Sequence, residues 1–116
     1  MNDEEKGVRD GLVNALEFLS SLPEQREFAA NVHYDSYDDE FACWWFDDLA
    51  WDEQSAKKMF TPAEVAVLVR FTETFDSQLE ALGDEKRSID ELHRTPEWQA
   101  IVLAAGEALR AIQQPT

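Results

Sequence analysis

Apolar residues recur along this chain at three- and four-residue steps, the period of helices that bury one face. Val8, Leu12, Ala15, Leu16 and Leu19 mark the first stripe over roughly residues 5–20, and Leu22 continues it. Pro23 breaks that run and suits the first turn of a second helix, about 24–32, with Phe28 and Val32 inward. Residues 33–38 read as a loop, where Asp35, Ser36, Asp38 and Asp39 offer turn and N-cap chemistry.

The next run, FACWWFDDLAW, lacks the period-2 alternation of a strand. Wound as a helix over residues 39–51, at about 100° per residue, it places Phe41, Ala42, Trp45, Phe46, Leu49 and Ala50 on one wide arc. Glu40, Trp44, Asp47 and Trp51 fall on the opposite side, with Asp48 at its edge. The first face is expected to build the fold. The second either packs Trp44 and Trp51 under neighbouring elements or presents them among carboxylates to a partner.

Residues 54–60 read as an exit segment carrying Lys57 and Lys58. Thr61-Pro62-Ala63-Glu64 then combines an N-cap, a Pro at the first helical position and a Glu at N3. The helix it opens carries Val65, Leu68, Val69, Thr72, Phe75, Leu79 and Leu82 on one face, and Gly83 is a suitable stop. Ser88-Ile89-Asp90-Glu91 opens a short helix to about His93, and Thr95-Pro96 starts the last one, about 96–112. Trp98, Ile101, Val102, Ala105, Leu109 and Ile112 are its inward residues, while residues 1–4 and 114–116 are expected to fray. The predicted fold class is all-α, a single-domain helical bundle of about five to six helices.

Charge changes what the surface of that bundle can do. The net charge is −15 and the pI about 4.2, with 44 % hydrophobic residues to fill a core. Residues 34–53 hold seven of thirteen aromatics and eight of twenty-five carboxylates, and no Lys or Arg lies between Arg26 and Lys57. Such a field disfavours direct binding of nucleic acid or an anionic membrane and favours a cationic partner. Carboxylates steer encounter, and Trp and Tyr anchor interfaces. The candidate partner-binding set is therefore Asp35, Tyr37, Asp38, Asp39, Glu40, Trp44, Asp47, Asp48, Trp51 and Asp52.

Catalytic chemistry finds little support. His33 and His93 are far apart in sequence and read as surface or capping residues, and the four glycines form no phosphate loop. The helical pairs Glu24/Glu27 and Glu73/Asp76 have the spacing for Mg²⁺ in an all-α nucleotide pyrophosphohydrolase, but no basic cluster accompanies them. The reading is of a protein that is not an enzyme, with no catalytic residues, cofactor or metal. Cys43, the single cysteine, is expected to sit as a small apolar residue. With neither a signal peptide nor a run of about 20 apolar residues, a cytoplasmic protein is expected.

Taken together, YDSYDDEFACWWFDDLAW, the preceding LPEQREFAA and the closing RTPEWQAIVLAAGEAL resemble small acidic bacterial immunity proteins of polymorphic-toxin and contact-dependent growth-inhibition systems. The resemblance spans about residues 8–109 and rests on composition and order of elements. It implies a cytoplasmic inhibitor that binds one cognate toxin domain with a basic surface, often a nuclease. The free protein would then be a monomer or a weak homodimer. An acidic adaptor for another basic protein is the alternative.

Overall fold

The computed structural model describes residues 2–49 and 51–113. Ala50, expected on the core arc, and Met1 and residues 114–116, expected to fray, lie outside the described residues. Among the described residues seven α-helices and one π-turn follow in order: α1 (Asp3–Leu19), α2 (Leu22–Asn31), α3 (Tyr37–Cys43), the π-turn (Trp44–Asp48), α4 (Glu53–Ala56), α5 (Pro62–Leu82), α6 (Ile89–His93) and α7 (Pro96–Gln113). There are no strands among the described residues, and the fold is all-α with slightly more helices than the sequence predicts. No helix among them is long and apolar enough to cross a membrane.

Local chemistry starts these helices where side chains accept the first free N–H groups. Asn2, Thr61 and Ser88 close capping boxes with Glu5, Glu64 and Glu91. Ser21, Ser36 and Asp52 cap α2, α3 and α4, each worth about 0.5–2 kcal/mol over alanine. The Asn2 box brings Asp3 and Glu4, expected to fray, into the first helical turn. Gly83 ends α5 at φ 73°, a conformation that suits glycine.

Three long helices make the frame. α7 packs against both α1 and α5. Leu12, Leu16 and Leu19 of α1 meet Trp98, Ile101 and Ala105 of α7 and Leu68, Phe71 and Phe75 of α5 in one core. α3 and the π-turn close over this frame. Phe41 of α3 reaches Trp98 (ring centroids 5.9 Å), while Trp45 reaches Phe71 (5.0 Å) and donates its indole N–H to the Thr72 hydroxyl at 3.1 Å. Phe41 and Trp45 are completely buried, each stabilising by about 1.5–3 kcal/mol or more through apolar area.

A second fastening is polar. Gln25 of α2, with no exposed surface, donates through Nε2 to the Phe18 and Leu19 carbonyls at the end of α1. Its Oε1 faces Trp98 Nε1 and His93 Nε2, each at 2.9 Å. An indole only donates, so Oε1 accepts from both, and His93 carries its proton on Nε2. One amide thus ties α1, α2, α6 and α7. His93, expected as a surface or capping residue, is buried, with α6 pinned against α2 by this bond.

Candidate protein-binding surface around the π-turn

The acidic aromatic segment does not run as one helix over residues 39–51. It starts earlier, at Tyr37, under the Ser36 cap, and after Cys43 it widens into a π-turn. There the Leu49 N–H donates to the Trp44 carbonyl at 3.0 Å, five residues back, and the Trp51 N–H reaches the Trp45 carbonyl at 3.2 Å. The physical reason is crowding. Three successive aromatics must all pack inward: Trp44 toward α1 and α2, Trp45 toward α5, and Phe46 onto Phe75 at 5.5 Å. The extra residue in the turn fits them into the space between those helices.

This geometry corrects the expected outward face. Trp44 is half-buried in an aromatic cluster, with its ring centroid 5.2 Å from Phe18, 5.1 Å from Phe28 and 5.1 Å from Phe41. Trp51 leaves the helical track and stacks on Trp45 at 5.6 Å with 18° between planes, also half-buried. Both indoles belong first to the fold and present only part of their surface. Tyr37, expected as an anchor, is a core residue whose hydroxyl donates to the Val32 carbonyl at 3.1 Å. Asp38, expected in the outward field, is buried and accepts from the Ser36 hydroxyl at 2.9 Å, because the cap folds its side chain back.

The remaining acids do stand outward. Asp35, Asp39, Asp47, Asp48 and Asp52 are exposed and Glu40 half-exposed. Asp35 pairs with Lys86 at 3.6 Å, and Asp52 is occupied by the Ser55 N–H and hydroxyl at 2.9 Å each. Those hydrogen bonds hold the Asp52 carboxyl below its usual pKa. Asp39, Glu40, Asp47 and Asp48 have no ion-pair partner among the described residues.

Cys43 marks the middle of this set. Expected among apolar residues, it is exposed on the outer side of α3. Desolvation, then the Asp47 hydrogen bond and the charges of Asp47, Glu40 and Asp48, push its thiol pKa above the usual 9.0. Since the residue is exposed overall, the three carboxylates are the contribution specific to this surface. They gather around one thiol, which stays protonated and unreactive near neutral pH.

Among the described residues no three His, Cys, Asp or Glu side chains come together in a way that would hold a metal ion. Glu24, Glu27, Glu73 and Asp76 are all exposed on their helices. Two features escaped the sequence reading: Gln25, one polar residue among many on an amphipathic helix, and the π-turn, for which the only signal was the run of three bulky rings. No family model, curated protein or solved structure matches the chain.

Proposed function

We propose that the protein is a binding inhibitor, an immunity protein that neutralises a bacterial toxin domain whose basic surface, expected to be that of a nuclease, docks on the outer side of α3 and the π-turn. One observation carries the reading: Glu40, Asp47 and Asp48 act together on the Cys43 thiol, and these three and the exposed Asp39 have no ion-pair partner among the described residues, in the same segment as half-exposed Trp44 and Trp51. Carboxylates in that arrangement occupy positions that phosphates take on a nuclease. The rigid aromatic floor beneath them lowers the ordering cost of association.

The test is growth rescue from the toxin encoded beside this chain, together with capture of its purified domain at low and high ionic strength. Wild-type protein is expected to rescue and to bind more weakly as salt rises. Asp47→Lys/Asp48→Lys is expected to lose about 3 kcal/mol or more of binding, since like charges then face each other. Capture undiminished in that variant moves the interface elsewhere. A neighbouring gene without toxic activity removes the immunity reading and leaves an acidic adaptor, which would use the same carboxylates.

A further inference from the structure

Three of the chain's ten Lys and Arg side chains, Arg26, Lys86 and Arg87, line a single cavity together with His33. The concentration runs against a net charge of −15. The cavity measures about 590 Å³ and lies between the outer side of α2, the loop leading to α3 and the start of α6. That size falls within the roughly 300–1,000 Å³ of small-molecule sites. Tyr34 and Ile89 supply apolar wall. It is separate from the exposed carboxylates of the π-turn, although Asp35 and Tyr37, expected from sequence to bind the partner, sit in its wall.

The charges are arranged unevenly. Asp35 and Asp90 also line the cavity, so three cations face two carboxylates. Lys86 spends its charge on Asp35 at 3.6 Å, with both side chains about three-quarters exposed; such a pair exchanges readily for a better anion. Arg87 is fixed, its side chain 14 % exposed and its Nη2 donating to the Leu82 carbonyl and to Glu85 at 3.2 and 3.1 Å. Arg26 has no ion-pair partner among the described residues. The walls are held in register from behind, because Gln25, next to Arg26, is hydrogen-bonded to His93 at the far end of α6.

We propose that this cavity binds a small organic anion, a phosphate or carboxylate head on an aromatic or branched apolar body. Arg26 and Lys86 take the head, Arg26 through its planar fork and Lys86 as a point charge released from Asp35. The body lies against Tyr34 and Ile89. This inference goes beyond the inhibitor reading and stands independently of it.

Titration of the full chain at constant ionic strength, followed by amide NMR shifts, tests it with four probes: phenyl phosphate, benzoate, inorganic phosphate and benzyl alcohol. Saturable shifts confined to residues 26–37 and 86–90 are expected with phenyl phosphate or benzoate, and the better of the two identifies the head group. Arg26→Gln/Lys86→Gln should weaken that binding about tenfold, while Lys57→Gln/Lys58→Gln leaves it unchanged. All four side chains are exposed, so both variants should fold. The proposal is overturned if neither organic anion saturates, if benzyl alcohol binds as well as they do, if inorganic phosphate alone matches phenyl phosphate, or if the Arg26/Lys86 variant keeps full affinity.

Discussion

At the scale of single residues, His93 carries the clearest consequence. With its proton on Nε2 committed to Gln25, its Nδ1 is buried and has no hydrogen-bond partner. Burial lowers its pKa below 6.5, the nearby Arg26 lowers it further, and Asp90 opposes both. The neutral ring is therefore the folded form, and the unfolded chain takes up the proton first as pH falls. Stability attributable to His93 is full above about pH 6.5 and is lost as pH drops from there toward the lower folded value. Asp52 and Glu91 have the opposite chemistry but the same direction, their folded pKa values lying below 3.8 and 4.5, so their loss comes at lower pH. Urea midpoints measured between about pH 7.5 and 5 should fall in the wild type. They should stay nearly flat in His93→Gln, which retains a donor for Gln25 but cannot titrate. Equal slopes in both proteins would place the effect elsewhere.

Among elements, the π-turn departs furthest from what periodicity could reveal. The start signals at Thr61 and Ser88, the stop at Gly83 and most of the inward stripes of α1, α5 and α7 were legible, because caps and 3.6-residue spacing are local properties; Val8, assigned to the first stripe, is instead exposed near the start of α1. Phe71, outside the stripe assigned to α5, is nevertheless buried, since Trp45 covers a second side of that helix. Trp45, Trp44 and Phe46 find partners on α5, α1 and α2 that no spacing within the segment encodes. The acidic composition of the site could be read, but which acids point outward could not: Asp38 and Asp39 are adjacent and differ only in how the Ser36 cap disposes them. Thr72 is the test of this packing, since it accepts from Trp45 while donating to the Leu68 carbonyl at 2.8 Å. Thr72→Val, similar in shape, strands a buried indole N–H and should cost about 1–3 kcal/mol in chemical denaturation, whereas Thr72→Ser should recover most of it.

For the whole molecule, a net charge of −15 on 116 residues means that folding compresses like charges. Only three ion pairs occur among the described residues, and the two joining Lys57 to Glu53 and Lys86 to Asp35 are largely exposed. Removing charge from the π-turn surface should therefore stabilise the free protein. Asp47→Asn/Asp48→Asn is expected to raise the midpoint of thermal unfolding by about 2 °C at low salt, an increment that shrinks as salt screens the field. Calorimetry at two ionic strengths measures it, and an unchanged midpoint at low salt would show that these carboxylates do not repel appreciably in the fold. A raised midpoint would mean that the same carboxylates are retained against stability, as residues kept for a partner are. The chain also carries its own optical gauge of this region. Trp45 and Trp51, stacked nearly parallel at 5.6 Å, are close enough for their indole transitions to couple. Such coupling splits the ultraviolet circular dichroism into a band of each sign. That signal vanishes once the two rings separate, so following it beside the helical signal reports when the turn that folds Trp51 back onto Trp45 opens.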